Sequence, residues 1–387
     1  MTDPRFLQIH TLHSYTAALL NRDDSGLAKR LRFGDVSRTR ISSQCLKRHW
    51  RFAQVIDEKT GRRIKDDPYA MQNIVGYVDS VRSRELVTEK VIAPLKGRFA
   101  DDVVAALEPE FQKLVYGDKA DKGKKSRQTL LLGKPELDWL AQEAARIAAG
   151  APNAEAAKKA VAEWAKDKNY KTMSENCALP GGLAAALFGR MVTSDPAANI
   201  EAPVHVAHAF TVHGEEAEDD YFTAVDDLKK DEDDSGADTI QETELTSGLF
   251  YGYAVIDLPG LISNCGDDRE LAGKVVHNLI HLIAEVSPGA KLGSTAPYGR
   301  AGLVLLEAGD RQPRSLADAF RKPAKPELDD AVEQLREKLA AFDKAYATGE
   351  SRICLNLSAK PIDSATTGSL AEIAAWAQTR TAEAAHG

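Results

Sequence analysis

The sequence predicts an α+β fold, a β-sheet with helices packed on one face. Three observations predict it. Strand patterns open the chain and return after residue 180. The long stretch between them is dominated by helical spacing and Ala-rich runs. The final third mixes strand patterns with amphipathic helices.

Residues 5 to 13, RFLQIHTLH, have β-rich composition with partial alternation and predict a strand. A polar, charged loop follows and contains Asn21-Arg22-Asp23-Asp24. Residues 40 to 57, RISSQCLKRHWRFAQVID, predict a helix with Ser42 or Ser43 as its N-cap, because a hydroxyl there accepts from a first-turn N–H. Residues 68 to 117 predict mainly helix, and two Ala-rich helices follow near 135 to 149 and 153 to 168. Only Thr129–Leu132 interrupts this region with a strand pattern, so it is expected to be a helical insertion. Strands are then expected in GLAAALFGRMV, APVHVAHAFTV, SGLFYGYAVIDL and GRAGLVLLEAG. Residues 268 to 286 predict an amphipathic helix, and the chain closes with helices near 326 to 347 and 369 to 385.

The four cysteines lie far apart, which argues against a zinc ribbon or a disulfide framework. No apolar run approaches the ~20 residues that span a bilayer, and the opening residues lack a signal-peptide pattern. A cytoplasmic protein without membrane partners is expected.

Net charge is -8, which alone would argue against a polyanionic partner. Its distribution argues otherwise. From Arg22 to Lys65 there are 13 Lys and Arg against 5 Asp and Glu, whereas Glu215 to Glu244 holds 2 Lys against 14 acids. One segment can meet phosphates, and the other repels them. The acidic segment has no apolar set to anchor it, so it is expected to project from the core.

A wheel of about 100° per residue places Trp50 and Ala53 beside Leu46. Gln44, Lys47, Arg48 and Arg51 fall opposite. The helix therefore buries one face and presents three cations and an amide on the other, and its N-terminus suits an anion. Arg22 and Lys29, in the preceding loop, extend the track. The bland alternative is a solvated amphipathic helix with ordinary surface cations.

The context is more specific. NRDD at 21 to 24 and RISSQCLKR at 40 to 48 resemble the N-terminal signature of the CasC-type backbone subunit of the type I-E CRISPR Cascade complex. LFGRMVTSD at 187 to 195, HVAHAFTVH at 205 to 213, DDYFTAVDDL at 219 to 228 and SGLFYGYAVIDL at 247 to 258 continue it in the same order. The resemblance implies an RRM-like (ferredoxin-like) palm, a helical fingers insertion and a projecting β-hairpin thumb. The palm would take residues 1–56 and 171–387, the fingers 57–170 and the thumb 212–247. Copies of such subunits stack into a helical, hexameric backbone along the crRNA, displace nucleotides at regular intervals and present the rest for pairing with target DNA. Its partners would be crRNA, target DNA, further copies of itself and the other Cascade subunits.

Carried over position by position, Arg22, Lys29, Ser42, Gln44, Lys47 and Arg48 match palm positions along the RNA backbone. Arg51 is added from the wheel. Met191 matches a residue that packs on a displaced base, and Tyr221, Phe222 and Thr223 match the wedge of the thumb. Cys45 stands where the motif commonly has Ser, and 52 to 180 matches poorly. Phosphate and sugar contacts suffice for a protein that accepts any guide sequence.

Lys119, Lys122, Lys124 and Lys125, repeated along a filament, would form a stripe facing duplex DNA; a solvated loop is the alternative. His277 and His281 stand four apart without the Glu of a metalloprotease motif, so hydrogen-bonded histidines are expected there and no metal. No Walker A, Rossmann or nucleophile-elbow fingerprint occurs, and YGRAG is a glycine turn without the rest of a phosphate-binding pattern. No cofactor and no catalytic residue are expected. Two rival functions stay open. One is a metal-dependent, RNA-cutting subunit of the type III kind, with Asp226 and Asp227 as its acids. The other is a cytosolic scaffold without RNA.

Overall fold

A computed structural model describes residues 3–56, 63–117, 120, 127–166, 179–192, 198–215, 217–224 and 239–385. The chain opens with β1, Phe6–Ala18. A short hairpin follows, β2 (Arg30–Phe33) and β3 (Val36–Ile41), turning at Gly34, whose positive φ of 65° suits a tight two-residue turn. Helix α1 (Ser43–Arg51) leads to the ribbon β4 (Gln54–Ile56) and β5 (Arg63–Asp66). Then come β6 (Ser80–Ser83), a π-helical turn at Val87–Ile92, α2 (Asp101–Tyr116), β7 (Leu130–Gly133), α3 (Lys134–Gly150) and α4 (Ala154–Lys166). After α5 (Gly182–Phe188) come β8 (Val204–Val206), β9 (Ala209–Thr211), β10 (Ala217–Ala224) and β11 (Thr239–Asp257). Helices α6 (Leu258–Asn264), α7 (Arg269–Glu285) and α8 (Leu292–Thr295) precede β12 (Ala301–Gly309). The chain ends with α9 (Leu328–Tyr346), β13 (Ser351–Asn356), β14 (Thr366–Thr367) and α10 (Leu370–Ala382).

The chain divides into two compact units. The first takes residues 1–71, 205–258 and 273–385; the second takes 72–204, 259–272 and 386–387. These boundaries differ from the sequence-based ones: residues 63–71 stay with the first unit, and residues 179–204 and 259–272 join the helical one.

The first unit is built on one mixed sheet of order β14-β13-β12-β1-β11-β9-β3-β2, with β8 and β10 also pairing to β11. Its registered pairs are antiparallel apart from β13–β14. Central β1 runs buried from Leu7 to His13, so both of its faces are covered. Adjacent residues of β11 show how. Tyr251 packs with Leu12, Leu303, Leu305, Phe320 and the α9 residues Val332 and Leu335. Phe250 packs with Tyr15, Ile41 and the α1 residues Cys45 and Leu46. Helices therefore cover both faces, not one.

Deep in this sheet lies a charged network. Glu307 Oε1 accepts from His10 Nε2 at 2.9 Å and from Arg314 Nη1 at 2.7 Å. Its Oε2 accepts from Arg314 Nη2 at 2.8 Å and Arg352 Nε at 2.7 Å. Arg352 then clamps Asp343 at 2.7 and 2.6 Å. The His10 tautomer follows: Nε2–H donates to Glu307, so Nδ1 accepts from the Tyr251 hydroxyl at 2.8 Å. Burial raises the Glu307 carboxyl, but Arg314 and His10 together hold it well below the usual carboxylate range.

The second unit packs α2, α3 and α4 around Leu107, Phe111, Leu140, Val161 and Trp164. Strands β6 and β7 form its two-stranded ribbon. Buried Arg190 donates through Nη1 to both oxygens of buried Glu136 at 2.6 Å, and Glu136 also accepts the Gly133 N–H.

Three sequence expectations need correction. GLAAALFGRMV was expected as a strand but forms α5 and a turn. Short apolar runs carry no decisive period, and its three consecutive alanines favour helix. Gly189, at φ 74°, stops it. The helix expected to reach residue 57 ends at Arg51, where β4 begins after two residues. The region 68 to 117 contains strand β6 besides its helical turns.

Candidate nucleic-acid interface

The cationic helix is capped by its own sequence. Ser42 is the N-cap, and its Oγ accepts the Cys45 N–H at 3.3 Å. Asn21 Oδ1 accepts the Ser42 N–H at 2.8 Å, and His208 Nδ1 accepts the Ser43 N–H at 3.1 Å. Side chains therefore take the N–H groups of Ser42, Ser43 and Cys45, which leaves this terminus less open to an anion than the sequence suggests. Burial, with Arg40 and Lys29 nearby, lowers His208 and keeps it a neutral acceptor.

The wheel predicts the packing. Trp50 and Ala53 are buried, Leu46 is partly buried, and Gln44 and Arg48 are exposed. Lys47 and Arg51 are half-buried, which the wheel did not predict, and burial lowers the Lys47 pKa. Cys45 packs toward the apolar cluster, and burial raises its thiol pKa. Phe52 was absent from the sequence-based set. It is 41% exposed, with the guanidinium carbons of Arg48 and Arg51 at 5.2 and 5.4 Å from its ring centroid. These distances fit cation–π contacts that orient both cations. Its aromatic identity, directly after Arg51, was the available signal.

Arg22 is exposed and forms an isolated bridge with Ala28. The Lys29 N–H donates to the Asn21 carbonyl at 3.0 Å, and its carbonyl accepts the Arg40 N–H at 2.7 Å. The loop of NRDD is thus tied to β3 and to the α1 cap. Not all local cations are available to a ligand. Arg38 is fully buried and donates to the carbonyls of Phe33, Thr211 and Phe320. Arg30 pairs with Glu215 and, at 2.9 Å, with Glu244.

The acidic segment forms a hairpin where it is described. In register, Tyr221 faces Glu242, Phe222 faces Gln241 and Thr223 faces Ile240. Strand β11 is 19 residues long. At about 3.3 Å per residue it spans roughly 60 Å. Its later residues pair with β1, and residues Thr239–Leu245 extend past that pairing. Tyr221 is 58% exposed.

Met191 is 68% exposed but belongs to the second unit, not to the sheet-bearing one. Its carbonyl accepts from Gln128 Nε2 at 3.1 Å, and its neighbour Arg190 anchors the turn through Glu136. Lys119, Lys122, Lys124, Lys125, Asp226 and Asp227 lie outside the described residues. His281 stacks on Tyr69 at 3.5 Å between centroids, and among the described residues no group of His, Cys, Asp or Glu could hold a metal. No described helix is long and apolar enough to cross a membrane.

Comparison with known families decides what this geometry belongs to. The family described as CT1975-like protein matches residues 7–379. The chain belongs to the CT1975-like protein family. Among solved structures, this CT1975-like chain is similar to one of a "CRISPR RNA-guided surveillance complex, pre-nicking". That match has 25% identity and a TM-score of 0.72, and it covers 97% of this chain and 100% of the other. A chain of another "CRISPR RNA-guided surveillance complex" shares the fold at 21% identity and a TM-score of 0.58, covering 97% and 99%. No curated protein sequence matches the CT1975-like chain significantly.

Proposed function

We propose that this chain is the guide-RNA-binding backbone subunit of a CRISPR surveillance complex of the type I-E Cascade kind. The reading is carried by the end-to-end likeness to a chain of an RNA-guided surveillance complex. The cationic side of α1 supplies the chemistry. In this reading the sheet-bearing unit is the RRM-like palm, and Arg22, Lys29, Ser42, Gln44, Lys47, Arg48 and Arg51 follow the crRNA backbone. The β10–β11 hairpin is the thumb. Tyr221, Phe222 and Thr223 wedge the RNA where a nucleotide is displaced, and Met191 packs on the displaced base.

Copies of the chain and the other Cascade subunits complete a helical, cytoplasmic ribonucleoprotein that offers the splayed guide to target DNA in antiviral defence. In this reading the subunit binds RNA and catalyses no reaction. Lys119, Lys122, Lys124 and Lys125 would face incoming duplex.

Purification from the host tests the reading. Co-purifying short RNA of uniform length is the expected result. RNA-free protein would mark a scaffold instead. Metal-dependent cutting of added RNA, lost on changing Asp226 and Asp227, would mark a nuclease.

A further inference from the structure

The loop from Ser287 to Arg300 carries the Tyr-Gly-Arg turn that matches no phosphate-binding fingerprint. It is held at several points. Ser287 Oγ donates to the Gly299 carbonyl at 2.9 Å and accepts the Gly299 N–H at 2.8 Å. The Ala290 N–H donates to the Leu19 carbonyl at 2.9 Å, just before the Asn21 loop. Lys291 Nζ lies 3.5 Å from Thr243 Oγ1 in the β10–β11 hairpin. Gly299 is packed so closely that a Cβ would fall 2.6 Å from the Ser14 carbonyl oxygen. The loop is thus fastened to the end of β1, beside the Asn21 loop that caps α1, and to the hairpin.

A loop held this firmly still leaves a large ring in water. Tyr298 is 76% exposed, and the Arg300 side chain is 81% exposed. Arg300 meets Glu285 at 3.1 Å, a surface pair of little strength that a phosphate can displace.

We propose that this loop is a further contact for single-stranded RNA, with Tyr298 stacking on an unpaired base and Arg300 and Lys291 taking the adjoining phosphates. The proposal rests on the RNA-binding reading, since the loop runs from beside the Asn21 loop to the hairpin, and that reading gives both to the guide. Stacking suits a protein that must accept every sequence, because every base has a π-face.

The test uses full-length protein and a labelled, mixed-sequence single-stranded RNA. Tyr298→Ala should weaken binding by roughly 5- to 150-fold, the size of one lost base–aromatic stack, with the salt slope unchanged. Tyr298→Trp should bind as wild type. Arg300→Ala should lower the slope by about 0.7. Lys47→Ala with Arg48→Ala separates the two claims. If that double variant loses affinity while Tyr298→Ala does not, the loop proposal fails and the helix reading stands. If neither loses affinity, both fail. If Tyr298→Ala keeps its RNA affinity but copies no longer assemble on a long RNA, the loop is a protein interface and the proposal is overturned.

Discussion

Two charged regions of the sheet-bearing unit differ in how they are closed. Around Glu307 every charge has protein partners: His10, Arg314 and Arg352 converge on one buried carboxylate, and Asp343 completes the outer end. Along α1, exposed Arg48 stands beside the exposed Phe52 ring, Gln44 is exposed, and the loop between β1 and β2 carries exposed Arg22. The first arrangement has already met the needs of its charges inside the fold. The second is ordered at its cap yet turns its charge outward, which is what a polyanion requires. Charge counting along the chain could not tell Arg38, which is wholly structural, from Arg48.

The comparison breaks most severely at its buried end. Glu307→Gln leaves Arg314 and Arg352 buried against a neutral amide. Loss of one partner from such a network typically costs about 3–5 kcal/mol. Urea denaturation should show a fall of that order, and unchanged stability would remove the distinction between the two regions.

Acid should reveal the same buried side. Burial lowers His13 to about 4, and His13 Nε2 has no hydrogen-bond partner among the described residues. Burial also lowers His10 and His281. These groups are held neutral in the folded chain and protonate more readily when unfolded. Stability should therefore be full above the ordinary histidine pKa and fall as pH drops from 6.5 toward about 4. His13 alone contributes a loss of about 3 kcal/mol across that window. Denaturation at neutral and mildly acidic pH checks this, and a flat profile would contradict it.

A smaller effect sharpens the exposed end. Ser42→Ala removes the α1 cap and should lower stability by about 1 kcal/mol. Ser42→Asp should restore the cap while placing a negative charge beside the cationic track, so thermal stability should recover and RNA affinity should not. Recovery of both would argue that no phosphate passes near Ser42.

How much of this was legible in the sequence follows the same division. The run RISSQCLKRHW, read with a helical period, put Leu46 and Trp50 on the packed face and narrowed the cap to Ser42 or Ser43, because capping and amphipathicity are local. The basic hairpin β2–β3 was read as loop. Its arginines masked strand alternation, and only long-range contacts tell that Arg38 is buried under Phe320. Strand β13 also went unread, since its pairing with β12 is what defines it. Phe52 was missed because it belongs to no motif, and Tyr298 because YGRAG reads only as a glycine turn; the exposure of both is a property of the folded chain. The α5 error came from an apolar run too short to show its period.

The central claim is that the α1 face binds RNA by its backbone, regardless of sequence. It is tested most directly by Lys47→Ala with Arg48→Ala, measured against several unrelated guide RNAs over a range of salt. The account predicts an equal loss for every guide, with the salt slope reduced by about 0.7 for each phosphate contact removed. A loss confined to one guide, or an unchanged slope, would contradict it.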